Sequence, residues 1–127
     1  MSNKTILVDA WNTFVNETGV NKQMQTLLDS YDNVKIIVTN ANENERIKLG
    51  IVNMPYEVFS LSHSPNKTDP LYFVKFLETY KLKANELLYF EHNEEAVKSA
   101  KSMGINTLWL PIESSLETLK LFLDSNL

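Results

Sequence analysis

Four short apolar runs stand out along the chain, at residues 5–8, 34–38, 87–90 and 107–110. They are rich in β-branched and aromatic residues and nearly continuous, with Lys35 as the one charge among them. Continuous runs of this length predict strands buried on both faces, as in a parallel sheet covered by helices on either side. A fifth, weaker run covers residues 56–61.

Between the runs the period changes. Phe73, Phe76, Leu77 and Tyr80 follow the i, i+3, i+4, i+7 spacing of one helix face, which predicts a helix over 70–80. Asp69 is placed to cap it, with Pro70 at the first helical position. Asn93 is placed to cap a second helix running to about residue 103 and ended by Gly104. Ser114 and Glu117 carry the capping-box spacing and open a last helix to about residue 123. The segment 42–46 reads as a solvated helix start. This alternation of strand and helix predicts an α/β fold, a three-layer Rossmann-like sandwich around a central parallel sheet of about five strands. One domain over residues 1–127 is expected.

Composition narrows the function classes. Hydrophobic residues make up 43% of the chain and charged residues 22%, the balance of a globular domain rather than a disordered one. A net charge of −4 argues against any general affinity for nucleic acid or anionic lipid. The absence of Cys excludes disulfides, thiolate zinc sites and thiol nucleophiles. Residues Met1, Ser2, Asn3 and Lys4 lead into an apolar stretch too short for a signal sequence, and no run reaches membrane-spanning length. A cytoplasmic protein with no membrane partner is the expectation.

In open α/β sheets, ligands bind beyond the carboxyl ends of the strands. Asp9, Trp11 and Thr13 follow the first run, Thr39 and Asn40 the second, and Glu91, His92 and Asn93 the run at 87–90; Lys67 lies in the loop after the weak run. A carboxylate, a hydroxyl, an ammonium and a second carboxylate are thus expected along one edge.

This set resembles the haloacid-dehalogenase-like (HAD) hydrolases. Ile6-Leu7-Val8-Asp9-Ala10-Trp11-Asn12-Thr13 looks like their first motif, a strand followed by Asp-x-Asp-x-Thr. Ile36-Ile37-Val38-Thr39-Asn40 resembles the second, Lys67-Thr68-Asp69-Pro70 the third, and Leu87-Leu88-Tyr89-Phe90-Glu91 the start of the fourth. The resemblance implies Asp9 as nucleophile, with Thr39, Asn40 and Lys67 on the phosphate. It also implies Mg²⁺ as cofactor, with Asp9, Trp11, Glu91 and Glu95 at the metal-holding positions. Only 30 residues separate Asp9 from Thr39 and 28 separate Thr39 from Lys67, so no cap domain is inserted.

Two departures qualify the implied chemistry. Trp11 stands where the family's phosphatases carry the Asp that protonates the leaving group. An indole N–H cannot do that work, and loss of a general acid costs about 10²–10⁴ in rate, or roughly 3–5 kcal/mol of barrier. His92 breaks the adjacent-acid form of the fourth motif, and imidazole suits transition metals better than magnesium. Two readings follow. One is a weak or specialised phosphatase working through an aspartyl-phosphate at Asp9, on a macromolecular phosphoester or one with an acidic leaving group. The other is a catalytically silent binding or regulatory module, with a metal-independent dehalogenase-type hydrolase a poorer fit for want of a cap. Oligomerisation is left open. Trp11 is expected to pack, His92 to sit at the surface as a helix-start residue, and His63 to be solvated; Glu95 reads equally as a first-turn acid.

Overall fold

The computed structural model describes residues 3–127; Met1 and Ser2, which begin the N-terminal stretch too short for a signal sequence, lie outside the described residues. In chain order the elements are β1 (Thr5–Asp9), a small hairpin of β2 (Val15–Asn16) and β3 (Gly19–Val20), α1 (Lys22–Asp29), β4 (Lys35–Thr39), α2 (Glu43–Leu49), β5 (Glu57–Ser60), α3 (Leu71–Tyr80), β6 (Leu87–Glu91), α4 (Glu94–Ser102), β7 (Asn106–Trp109) and α5 (Leu116–Asn126). Five strands form one sheet in the order β5-β4-β1-β6-β7. All its pairings are parallel.

The continuous apolar runs follow from the two covered faces. Ile6, Val8, Ile37, Leu88 and Phe90 point to one core, where they meet Met24 and Leu28 of α1 and Leu119 and Leu123 of α5. Leu7, Ile36, Val38, Leu87 and Tyr89 point to the other, against Tyr72, Phe73 and Phe76 of α3 and Ala100 of α4. Alternate residues therefore find apolar partners on both sides, and in the three central strands every residue is buried except Lys35, at the start of β4, which is half-buried. On the second face Phe59 of β5 meets Tyr72 and Phe76 edge-on, with ring centres 5.4 and 5.2 Å apart.

The helix caps follow the polar punctuation, with two shifts. Asn93 Oδ1 accepts the N–H groups of Glu95 and Ala96 at 2.9 and 3.2 Å, and Gly104 takes the left-handed conformation just past α4 (φ 82°). Asp69 Oδ1 accepts the Leu71 N–H at 3.0 Å, while Pro70 occupies the cap position rather than the first turn. The expected solvated start at 42–46 is a full capping box between Asn42 and Glu45. The last helix differs from expectation: Ser115, not Ser114, stands at its N-cap, and no side-chain cap bond forms there. It also continues to Asn126, because Leu119 and Leu123, one turn apart, are both fully buried and hold the third turn down. The hairpin and α1 have no counterpart among the predicted elements.

Phe76 of α3 packs its ring against Phe59 and Tyr80 and has no exposed surface. Phe76→Ala is expected to cost about 3–5 kcal/mol of unfolding free energy, read as a lower denaturant midpoint at an unchanged slope.

Candidate active site

The chain leaves β1 for β4 and β5 on one side, then returns across the sheet to β6 and β7 on the other. The strand order therefore reverses between β1 and β6, and the crevice beyond their carboxyl ends is where such sheets bind ligands. Val8 pairs with Phe90, so the two strand tips, Asp9 and Glu91, emerge side by side.

Between them lies a buried ammonium. Lys67 Nζ donates to Asp9 Oδ1 at 2.8 Å and to Glu91 Oε1 at 2.7 Å. All three residues are at most 5% exposed. The Lys67 backbone N–H is held by Asn40 Oδ1 at 2.6 Å, which fixes the loop that delivers the side chain. Asn40, expected on a phosphate, thus uses its side-chain oxygen on the chain itself. The Thr39 hydroxyl accepts the Ala41 N–H at 3.2 Å, and Tyr72 braces the strand end by hydroxyl contacts of 3.0 Å to the carbonyls of Thr39 and Phe59.

The opposite oxygen of Asp9 is equally committed. Asp9 Oδ2 accepts the Thr13 hydroxyl at 2.6 Å, the His92 backbone N–H at 3.1 Å and His92 Nδ1 at 2.5 Å. The turn that brings Thr13 back passes through Asn12 in the left-handed region (φ 66°), a conformation that Asn tolerates better than most residues. His92 is the main departure from expectation. Placed at the surface by sequence, it turns inward, because its own backbone N–H is captured by Asp9 and its carbonyl accepts the Trp109 indole N–H at 2.9 Å. Glu91 Oε2 takes the Asn93 N–H at 3.1 Å and lies 3.3 Å from His92 Nδ1; Tyr89 donates its hydroxyl to Glu91 Oε1.

These contacts set the charges. Burial would raise the Asp9 carboxyl, but the Lys67 ammonium and the His92 hydrogen bonds outweigh it and hold the group well below its ordinary range. Burial and the Asp9 charge push Glu91 the other way, up to about 7, with Lys67 only partly offsetting them. Burial disfavours the Lys67 ammonium, yet the two carboxylates raise it well above its ordinary value. The hydrogen bond to Asp9 raises His92 despite its partial burial.

Asp9, Glu91 and His92 each offer a ligand atom, all within 4.8 Å of one another. Of the other metal-holding positions implied by sequence, Glu95 is not in this group: it lies in the first turn of α4, is exposed, and approaches Lys98 at 3.4 Å. Asn93 caps that turn by taking the Glu95 N–H, which leaves the Glu95 side chain on the solvent side. Trp11 is half-buried, packs against the β1 face of the core and lines the site cavity. That cavity measures about 190 Å³ and is also lined by Asp9, Thr39, Asn40, Lys67, Glu91 and His92. His63 lines it as well while staying exposed at the rim, as expected of a residue in this polar loop. Its Nε2 lies 2.7 Å from Glu45 Oε1, the oxygen that completes the α2 capping box, and its Nδ1 3.2 Å from the Asn66 amide. Ser62 and His63 are consecutive left-handed residues (φ 52° and 66°), a local turn that no residue-type signal in the sequence announces.

No protein-family model matches this chain, and no curated protein matches it significantly. Solved structures do. The core domain of a protein provisionally assigned as a phosphoglycolate phosphatase, from Streptococcus pneumoniae TIGR4, aligns over 98% of both chains with a TM-score of 0.68 at 15% identity. The fold is that of the HAD hydrolases. A HAD family enzyme from Bacteroides thetaiotaomicron, solved with magnesium and inorganic phosphate, aligns over 80% of this chain and 57% of its own, with a TM-score of 0.64 at 18% identity. A HAD-superfamily hydrolase of subfamily IA from Geobacter sulfurreducens PCA aligns over 84% and 56%, with a TM-score of 0.60 at 20% identity. The chain spans little more than half the length of these two enzymes. Between Asp9 and Lys67 it carries only the hairpin, α1, β4, α2 and β5, a HAD-like core without an inserted cap. No helix among the described residues is long and apolar enough to cross a membrane.

The opposed shifts give a pH signature for stability. Asp9 is lowered, so its contribution is present above the ordinary value of 3.8 and is lost as pH falls through its depressed folded value. Glu91 and His92 are raised, so each binds its proton more tightly when folded. Their contribution is lost as pH rises, from 4.5 to about 7 for Glu91 and above 6.5 for His92. Unfolding free energy in chelator is therefore expected to be lower above pH 7 than near 4.5, with Glu91→Gln flattening that decline. Lys67→Met, which leaves the two buried carboxylates uncompensated, is expected to cost about 3–5 kcal/mol at neutral pH, measured by urea unfolding.

Proposed function

We propose that this chain is a HAD-like phosphohydrolase that works through an aspartyl-phosphate at Asp9. The observation that carries the reading is the buried Asp9–Lys67–Glu91 group at the point where the strand order reverses, facing a cavity of about 190 Å³. A carboxylate kept ionised at its depressed pKa is the form a nucleophile needs.

In the first step an Asp9 oxygen bonds to phosphorus and the bond to the leaving oxygen breaks. In the second, water attacks the same phosphorus, inorganic phosphate departs and the Asp9 carboxylate is restored. Charge on the equatorial oxygens is met by the Lys67 ammonium and the Thr39 hydroxyl. Asn40 acts through Lys67, by holding its backbone N–H. A divalent cation, of the kind seen as magnesium in the Bacteroides enzyme, would be held by Asp9, Glu91 and His92 and would reduce the repulsion between carboxylate and phosphoryl oxygens. Glu91, raised to about 7, would have to be ionised to serve as such a ligand.

With Trp11 at the general-acid position, the leaving oxygen must take its proton from water. Aryl and acyl phosphates, whose leaving groups need little protonation, are the favoured substrate class. An open mouth without a cap also admits a phosphoryl group carried on a large molecule.

The test is phosphate release from a panel of aryl, acyl and alkyl phosphates, with and without Mg²⁺. Aryl and acyl esters should turn over ahead of alkyl esters, and Asp9→Asn should abolish release. Release that persists unchanged in Asp9→Asn, or none from any ester, sinks the proposal. In the same assay Trp11→Asp should raise turnover of alkyl esters, by as much as the ~10²–10⁴ a general acid supplies.

A further inference from the structure

We propose that the cation corner of this site takes a first-row transition ion such as Mn²⁺ or Zn²⁺, bound directly through the His92 imidazole, in preference to Mg²⁺. The proposal rests on the phosphohydrolase reading and names the cofactor class of that same site.

The two buried carboxylates are divided between two partners. Lys67 occupies Asp9 Oδ1 and Glu91 Oε1, which leaves Asp9 Oδ2 and Glu91 Oε2 on the side where His92 Nδ1 sits, 2.5 and 3.3 Å away. An ion bonded at 2.0–2.2 Å to neighbouring ligands holds them roughly 3 Å apart, close to the 2.5 and 3.3 Å at which His92 Nδ1 stands from the two oxygens. The contact at 2.5 Å is the one that an ion placed between the two groups would replace.

The imidazole is aimed, not merely nearby. On one side the His92 backbone N–H donates to Asp9 Oδ2 at 3.1 Å; on the other the Trp109 indole N–H holds the His92 carbonyl at 2.9 Å. With both ends of the residue tied, the ring is directed at the carboxylates although 23% of the side chain remains exposed.

Donor chemistry then selects the ion. Magnesium takes oxygen ligands in near-ideal octahedral geometry, whereas imidazole favours zinc and its first-row neighbours. The oxygen donor that could have balanced the set, Glu95, faces solvent beside Lys98. Two carboxylates against one ammonium leave a net charge of −1 when both acids are ionised, which a dication inverts to +1, the sign a phosphate dianion requires.

Mn²⁺ is the probe, because pulsed electron paramagnetic resonance detects a directly bonded ¹⁴N without any turnover. Wild type and Glu95→Gln should both bind Mn²⁺ and show the imidazole nitrogen coupling. His92→Asn should lose the coupling and bind Mn²⁺ more weakly by at least the roughly 10–100-fold that loss of an outer-shell partner costs. His92→Asp, a second variant in case the first is poorly folded, should keep a metal site without the coupling and show a higher ratio of Mg²⁺ to Mn²⁺ affinity than wild type. No Mn²⁺ binding by wild type, binding without nitrogen coupling, or coupling that survives in His92→Asn each overturns the proposal. The first two would leave His92 as a hydrogen-bond partner of Asp9 only. Nitrogen coupling in a protein that releases no phosphate would instead count against the hydrolase reading and leave this one standing.

Discussion

Burying a lysine is the constraint around which this structure is arranged. An ammonium with almost no contact with water is stable only where opposite charge replaces its hydration. Here the charge comes from carboxylates on two neighbouring strand tips, and the parallel register of β1 and β6 sets the gap between them. The loop carrying Lys67 must then cross the end of β4, where Asn40 takes its backbone N–H and Val38 offers a carbonyl 3.4 Å from Nζ. Tyr72 and Tyr89, each buried beneath this group, supply hydroxyls to the strand-end carbonyls and to Glu91. Strand order, loop path and core aromatics therefore converge on one ammonium.

The same arrangement accounts for one acid ionising readily while its neighbour does not. Asp9 collects Lys67, Thr13 and two N–H groups of His92, while Glu91 shares Lys67 with Asp9 and lies against its charge. Two like carboxylates are driven apart in affinity for the proton by unequal shares of the donors around them. That division suits a site in which one carboxylate attacks and the other anchors.

Much of the fold is legible in the chain because both faces of the sheet are covered. Runs such as Ile36, Ile37 and Val38 must be apolar throughout, and few arrangements besides a doubly covered sheet demand so short and unbroken a run. What escapes is what lacks such a pattern. In α1 only Met24 and Leu28 are buried, so the helix reads as polar sequence, and the hairpin has two residues per strand. At the site, Asp9 and Glu91 are legible as acids at strand ends, and Lys67 as a lysine in the loop after β5. The fate of His92 and Glu95 is not, since it depends on which backbone N–H groups are captured: Asp9 takes that of His92 and draws the residue in, while Asn93 takes that of Glu95 and turns it out. His63 is exposed, as its polar loop implies; only its approach to the cavity, through two successive left-handed residues, is not announced by residue type.

The outermost strand has a part in this that its position conceals. β7 has a neighbour on one side only, yet its end holds the tip of β6 twice: the Leu110 N–H donates to the Glu91 carbonyl at 2.8 Å, and the Trp109 indole to that of His92. Local opening is easiest where a segment has few buried partners. Each fraying of β7 would release the backbone of both residues together, so the rim of the sheet acts as a latch on its centre.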